Sequence, residues 1–413
     1  MMKLSNAKHA NPLLITAVYY LSFTVLGLIA AAAGPSLPSL ESYTSSSRDQ
    51  ISLIFVFVSL GYLTGSFLSG QAYDRFPGHR LMAFSLVLIG AASWAVPVAG
   101  SLWLLLLVFF VLGFAKGTLD VGCNTLLLWM HGEKVGPFIN GLHFFFGVGA
   151  FVSPLILAQV LAATGDIHWL FWVCALACVP LTIWLWVLPE PPSAAPQNAQ
   201  KEASSFPIFP VFLAVILFIL YVGLEIGFGS WVYAYALDLG LATEITAAYL
   251  ASGFWGAFTL GRLLGVWTAL RAHPQTILFI DLFGCLLSVI VILLWRDSAL
   301  ALWAGSLGLG LCLASIFPAT LMLAGERMRM SGAITGWFLV GSGVGNMLLP
   351  WLIGQAFVLA GSHTMPVIIL VDVILLLLAL VYFLTQTRQL IVAEPRAFAS
   401  QSQVSPTPNL DEY

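Results

Sequence analysis

The chain is 413 residues long, 60% hydrophobic and only 8% charged, with a mean hydropathy of +0.97. A soluble globular protein carries about 25% charged residues, so a water-soluble enzyme, a secreted disulfide scaffold and a disordered chain are excluded. The formal net charge of −3, without a basic patch, also excludes nucleic acid as a partner.

At roughly 20 residues per bilayer-spanning helix, the apolar runs predict an all-α membrane protein of twelve transmembrane helices. The spans fall at 13–33, 51–71, 80–99, 102–130, 136–162, 167–188, 208–236, 245–270, 275–296, 299–325, 331–360 and 365–387. Lys3 and Lys8 before the first run, and Ala30–Ala33 after it, imitate a signal peptide. The run is too long for one and eleven spans follow, so it is expected to be retained. The stretch from Pro189 to Ser205 is rich in Pro, Ala, Ser and Gln and reads as a flexible linker. The predicted organisation is therefore an N-terminal six-helix half at 1–188, a cytoplasmic linker at 189–206, a C-terminal half at 207–387, and a disordered tail at 388–413.

With both termini inside, Lys3, Lys8, Arg75, Arg80, Lys134, Lys201, Arg271, Arg327, Arg329, Arg388 and Arg396 are cytoplasmic, and only Arg48 and Arg296 lie outside. That asymmetry predicts cytoplasmic termini. The chain has no Asn-x-Ser/Thr sequon, which favours a bacterial inner (plasma) membrane. Its five cysteines fall in apolar stretches; Cys174 and Cys178, one turn apart, read as small hydrophobes rather than a metal or disulfide pair.

Gly147, Val148, Gly149, Pro154 and Gln159 of span five recur as Gly343, Val344, Gly345, Pro350 and Gln355 of span eleven, an offset of 196 residues. Gly61 and Gly70 recur as Gly256 and Gly265, and Gly113, Thr125 and Leu126 as Gly308, Thr320 and Leu321, both at an offset of 195. A common offset across three helix pairs predicts two parallel six-helix repeats, with a substrate cavity between them.

The loop after span two, from Gly70 through Asp74, Arg75 and Gly78 to Arg80, resembles the signature of the major facilitator superfamily, with one extra residue before the second glycine. The resemblance implies the major facilitator fold and a cytoplasmic gate at these residues. Asp74 is expected against the N-terminus of span eleven near Ser331, where the helix dipole favours an anion. The plain alternative is a polar cytoplasmic turn.

Ionisable groups within spans are costly, and they are the first candidates for function. Span four carries Lys116, Asp120 and Asn124 on one helix face. A Lys–Asp pair at this spacing neutralises itself as structure, whereas Asn124 on the same stripe points to a wet cavity. Glu225 in span seven has no basic residue in its own helix, so it must face a cavity, find a partner or be protonated. Tyr221, Glu225 and Phe228 share one face, and Trp231 and Tyr235 another. Aromatic stripes serve packing as well as sugar rings. Asn140 and His143 in span five and Asn346 in span eleven complete the candidate lining. Arg262 and Asp281 lie towards cytoplasmic ends and read as gate contacts, while Asp372 has no assigned role.

The runs Gly117–Asn124, Leu142–Phe144 with Gly147–Pro154, and Tyr221–Gly229 with Trp231 are similar to the sodium-dependent glucose transporter branch of that superfamily. They resemble more distantly the fucose/proton symporters, which have a carboxylate at the Asp120 position and an amide at Asn124. Those symporters have an Asn near Phe145 and a Gln near Glu225, so their sugar contacts do not transfer intact. The resemblance implies cation-coupled symport of a monosaccharide by alternating access, with Asp120 as the coupling carboxylate and Glu225 as a coupling or sugar-binding group.

The expected cation set is Asp120, Glu225, Asn124 and Lys116, with Na+ or H+ as coupling ion and Na+, if used, at Asp120. The expected substrate set is Asn124, Asn140, His143, Glu225, Trp231, Tyr235 and Asn346. No cofactor is expected, and the chain is expected to work as a monomer in the lipid bilayer. The rival on the same fold is an exporter of drugs or amphiphilic small molecules, with a mostly apolar cavity. A membrane enzyme has no support, since there is no His-Glu-x-x-His, phosphate-binding loop or Ser/His/Asp set.

Overall fold

The computed structural model describes residues 11–191 and 207–388. Most of the predicted linker, and all of the predicted tail beyond Arg388, lie outside the described residues. The elements are α1 (Pro12–Thr44), α2 (Arg48–Ile51), α3 (Leu53–Tyr73), α4 (Gly78–Ala95), α5 (Leu102–His131), α6 (Gly136–Thr164) and α7 (His168–Val187). They continue with α8 (Ile208–Asp238), α9 (Glu244–Ala269), α10 (Pro274–Leu294), α11 (Ala299–Leu313), α12 (Ile316–Arg327), α13 (Gly332–Ala360) and α14 (Thr364–Gln386). There is no strand among the described residues.

Eleven of the twelve predicted spans are long and apolar enough to cross a bilayer. The remaining one, α9, has 26 residues and is less apolar because it carries Arg262 among many Gly, Ala, Thr and Ser residues. It compensates by packing against α6, α8 and α11 inside the bundle.

Two spans depart from their expected form. The first does not stop at residue 33: α1 continues through Pro35 and Pro38 to Thr44. Proline removes a backbone donor and usually breaks a helix. Here the helix is buried on both sides of the prolines, and the Ser36 hydroxyl donates to the Ala32 carbonyl at 2.7 Å within the same turn. The tenth span is two helices, parted at Ala314–Ser315. Pro318 has no N–H for the Ala314 carbonyl four residues earlier, and its ring crowds that carbonyl.

The duplication read from the sequence is visible in the packing. In the first half α6 packs on α1, α3 on α5 and α4 on α7; in the second α13 packs on α8, α9 on α11 and α10 on α14. Small residues allow the close approaches, as expected where helices associate by packing rather than by hydrophobic burial.

The starts of α1 and α4 and the ends of α5 and α7 share one end of the bundle. There Thr16 meets His131 Nε2 at 2.9 Å, Tyr19 meets His79 Nε2 at 2.7 Å, and the His79 N–H donates to Glu190 at 3.0 Å. In the other half Arg327 donates to the Thr387 carbonyl at 3.2 Å at the corresponding end. We call this the terminal face and its opposite the far face.

Candidate functional site

The halves meet most tightly near the far face. Arg48, in the short helix α2, donates through Nε to Glu41 at 2.7 Å and through Nη1 to Asp238 at the end of α8, at 2.9 Å. The Ser362 hydroxyl closes on the same Asp238 carboxylate. Gln355 reaches across to the Asp49 carbonyl at 3.1 Å and to Ser52 at 3.3 Å. Its repeat counterpart Gln159 donates to the Tyr249 hydroxyl at 2.9 Å. A glutamine repeated at one offset thus bridges the halves on both sides of the bundle, which its recurrence alone could not disclose.

Two glycines bring the halves into contact at this level. Gly34 in α1 lies against the backbone of Ser230 in α8, and Gly354 in α13 lies against the Ser52 side chain. The bundle is clasped at the far face.

Within the first half, Asp120 is held by two groups. Tyr62 of α3 donates its hydroxyl to Oδ2 at 2.5 Å, and Asn124 donates Nδ2 to Oδ1 at 2.8 Å and to the Asp120 carbonyl at 3.0 Å. Lys116 lies one turn away but forms no ion pair with Asp120, correcting the self-neutralising reading of that pair. All three residues of the stripe are half-buried. Asn124 spends its amide donors on Asp120, which leaves its Oδ1 available to a ligand. Tyr62 is the residue that sequence reasoning missed; the available signal was a polar-tipped aromatic in the middle of an apolar span, next to Gly61.

Glu225 is buried, at 6% exposure, and forms no ion pair with a described residue. Tyr221 on α8 and Arg262 on α9 both lie within electrostatic reach of it. Arg262 also crosses to the first half, donating Nη1 to the His143 carbonyl at 3.3 Å and stacking its guanidinium 4.6 Å from the Phe258 ring centre. Arg262 thus links α9 of the second half to α6 of the first. The His143 ring itself packs edge-on against Phe23, with ring centres 5.8 Å apart.

The other candidates divide. Asn346 donates to Ser59 Oγ at 2.6 Å and ties α13 to α3. Trp231 is fully buried, donates Nε1 to the Pro350 carbonyl at 2.8 Å and packs on Phe357 at 4.8 Å. Its ring is engaged in packing and presents no open face to a sugar. Asn140 is exposed near the terminal face, and Tyr235 lines a separate cavity in the second half.

Among the predicted gate residues, the side chains of Asp74, Arg75 and Arg80 form no hydrogen bond or ion pair with any described residue. The Ser331 hydroxyl accepts from the Ile334 N–H of its own helix at 3.3 Å, so the expected seat of Asp74 at the start of α13 is not made. Asp281 accepts from Ser315 at 2.6 Å, at the break between α11 and α12. Ser315 is the repeat counterpart of Asp120. Asp372 is buried in α14, with Oδ2 unpaired among the described residues. All five cysteines are free.

A family model described as the Major Facilitator Superfamily matches residues 13–350. The chain belongs to the Major Facilitator Superfamily. Relatives named sodium-dependent glucose transporter 1 occur in Xenopus laevis and Homo sapiens. The first is 29% identical over 78% of this chain and 72% of its own length, the second 27% identical over 84% and 74%. The crystal structure of a D-xylose-proton symporter superposes with a TM-score of 0.77 at 14% identity, covering 89% of this chain and 96% of that one. That likeness is one of fold. As a member of this superfamily the chain is a multi-pass integral membrane transporter rather than an enzyme.

Proposed function

We propose that this transporter carries a monosaccharide by cation-coupled symport, alternating access between its two halves. The observation that carries the reading is Asp120, an acid within a membrane span, held by Tyr62 and Asn124 and left without an ion pair. An anion so placed needs a cation from outside the protein, and the relatives' names supply the class: sodium and glucose.

Sodium is a hard cation that takes oxygen ligands, and Asp120 and the Asn124 carbonyl oxygen are the donors we assign to it. A proton would use the Asp120 carboxylate alone. Glu225, Arg262 and Tyr221, with Asn124 and His143, form the polar set we assign to the sugar hydroxyls. Lys116 tunes the Asp120 carboxylate through space. Asn140 stands at the terminal-face mouth, and Asn346 holds α13 against α3.

The basic residues Arg75, Arg80, Arg271 and Arg327 support a cytoplasmic terminal face. With that orientation, the far-face clasp corresponds to an inward-facing state. In it the Asp74–Arg80 loop is disengaged and would lock when the cytoplasmic side closes. The segments 1–188 and 207–387 are the two rocking bodies, a single chain sufficing, and the absence of sequons supports a bacterial inner membrane.

The test is uptake of a labelled hexose panel into proteoliposomes under an imposed sodium gradient and, separately, a pH gradient. Accumulation above equilibrium under one gradient is expected, and it identifies the coupling ion. Asp120→Asn should abolish accumulation while sugar exchange persists; unchanged accumulation in that variant refutes the coupling assignment. Absence of sugar uptake under both gradients refutes symport and favours export of amphiphiles.

A further inference from the structure

Tyr235, which the sequence offered as a substrate contact, is turned away from the polar sets of Asp120 and Glu225. It lines a cavity of about 480 Å³ at the far-face end of the second half, where α8, α10, α13 and α14 converge. Tyr235 is fully buried and its hydroxyl has no hydrogen-bond partner among the described residues. A buried hydroxyl without a partner is costly, which marks a place where a partner belongs.

The same cavity is lined by Arg296 and His363, both exposed. Arg296 forms no ion pair or hydrogen bond with a described residue. Of the two basic side chains assigned to the outside, Arg48 is consumed by Glu41 and Asp238. Arg296 is the unneutralised one, and it faces this cavity. Leu293, Pro366 and Val367 supply an apolar wall. Trp295 beside it is 58% exposed, as expected of an aromatic anchor at a membrane–water boundary.

The cavity continues an apolar seam. Further along the same pair of helices, Phe283 and Leu286 of α10 and Leu377 and Val381 of α14 line a second, wholly apolar groove. Leu287 and Val371, between the two, are exposed. At 1.5 Å per residue, Leu286 lies about 15 Å below Arg296, which matches the depth of one bilayer leaflet.

We propose that the α10–α14 seam binds a glycerophospholipid of the far-face leaflet. Its phosphate lies between Arg296, His363 and the Tyr235 hydroxyl, and an acyl chain runs along the seam to the Leu286 level. Charge complementarity selects the occupant: a guanidinium and an imidazole at headgroup height, above an alkyl-lined track. Asp297, which lies near Tyr235, faces the same end and disfavours headgroups of more than one negative charge.

The test is native mass spectrometry of the full chain released from nanodiscs of phosphatidylethanolamine and phosphatidylglycerol. The chain is expected to retain one phospholipid. Retention should fall several-fold in Arg296→Ala, recover in part in Arg296→Lys, and fall equally in Val367→Trp, which fills the cavity without altering charge. Size-exclusion profiles and thermal melts in detergent identify any variant that fails to fold, and the remaining variant then decides. Equal retention in wild type and both loss variants overturns the proposal. So does displacement of the adduct by millimolar inorganic phosphate, which would mark a free-anion site. This inference does not depend on which solute the transporter carries.

Discussion

The Arg48–Asp238 contact makes a quantitative demand on the conformational equilibrium. Its two side chains are 18% and 30% exposed and 2.9 Å apart, and the guanidinium also lies 5.9 Å from the Phe357 ring centre. Exposed ion pairs contribute roughly 0.2–1 kcal/mol, and partial shelter with a direct hydrogen bond puts this one at the top of that range. The Arg48–Glu41 bond of 2.7 Å lies within the first half and is kept in either state, so it adds nothing to the difference.

Arg48→Ala should therefore cost the far-face-closed state about 1 kcal/mol, a shift of about five-fold in a two-state ratio. Nitroxides at Ser42 and Glu244, exposed on the far-face ends of opposite halves, report the opening by pulsed electron–electron resonance. The open population should rise about five-fold in Arg48→Ala and in Asp238→Asn, and no further in the double variant. High salt should blunt the difference. An unmoved distance distribution in Arg48→Ala, or additive effects in the double variant, would refute the latch.

Three further outcomes follow from the same geometry. Tyr62→Phe deletes the 2.5 Å bond to Asp120. A hydrogen bond to a charged group contributes about 1.5–3 kcal/mol, so the half-saturating concentration of the coupling cation should fall about ten-fold or more, and turnover should slow with its release; an unchanged value contradicts the role given to Tyr62. Trp231→Phe removes the indole hydrogen bond to the buried Pro350 carbonyl. That should cost about 0.5–1.5 kcal/mol, read as a lower melting temperature in detergent, and an unaltered melt contradicts it.

The last concerns Asp166, in the α6–α7 turn. Partial burial raises its carboxyl pKa, but hydrogen bonds from the His168 backbone and ring, the His168 charge and the Tyr43 hydroxyl outweigh that and hold it below the usual carboxylate range. A depressed carboxylate stabilises the fold above its ordinary pKa of about 3.9, and that stabilisation is lost as pH falls through the depressed value. Melting temperatures should drop across that acid window in the wild type and drop less in Asp166→Asn. Identical pH profiles for the two would remove the assignment.

What was legible in the sequence is what hydropathy and spacing encode. Twelve apolar spans, the 195–196-residue repeat and the Lys116–Asp120–Asn124 stripe follow from local composition and the helical period, which act within a single helix. Where the local rule was misleading, the surrounding bundle decided: α1 continues past Pro35 and Pro38 as a buried helix, and α9 shelters Arg262 against α6.

Partners were a different matter, because they are chosen by helices that approach only in the folded bundle. Asp120 takes Tyr62, 58 residues away, in preference to Lys116 one turn along the same helix. Arg48 meets Asp238, 190 residues on, and Gln355 reaches Asp49 across 306. Trp231 and Tyr235 share a helix face in the sequence, yet one is sealed between the halves and the other opens on a lateral cavity. In a bilayer every span must be apolar whatever it touches, so hydropathy determines that a helix crosses. The few polar side chains, and the small residues that let particular helices approach, decide which helices meet, and that decision exists only in three dimensions.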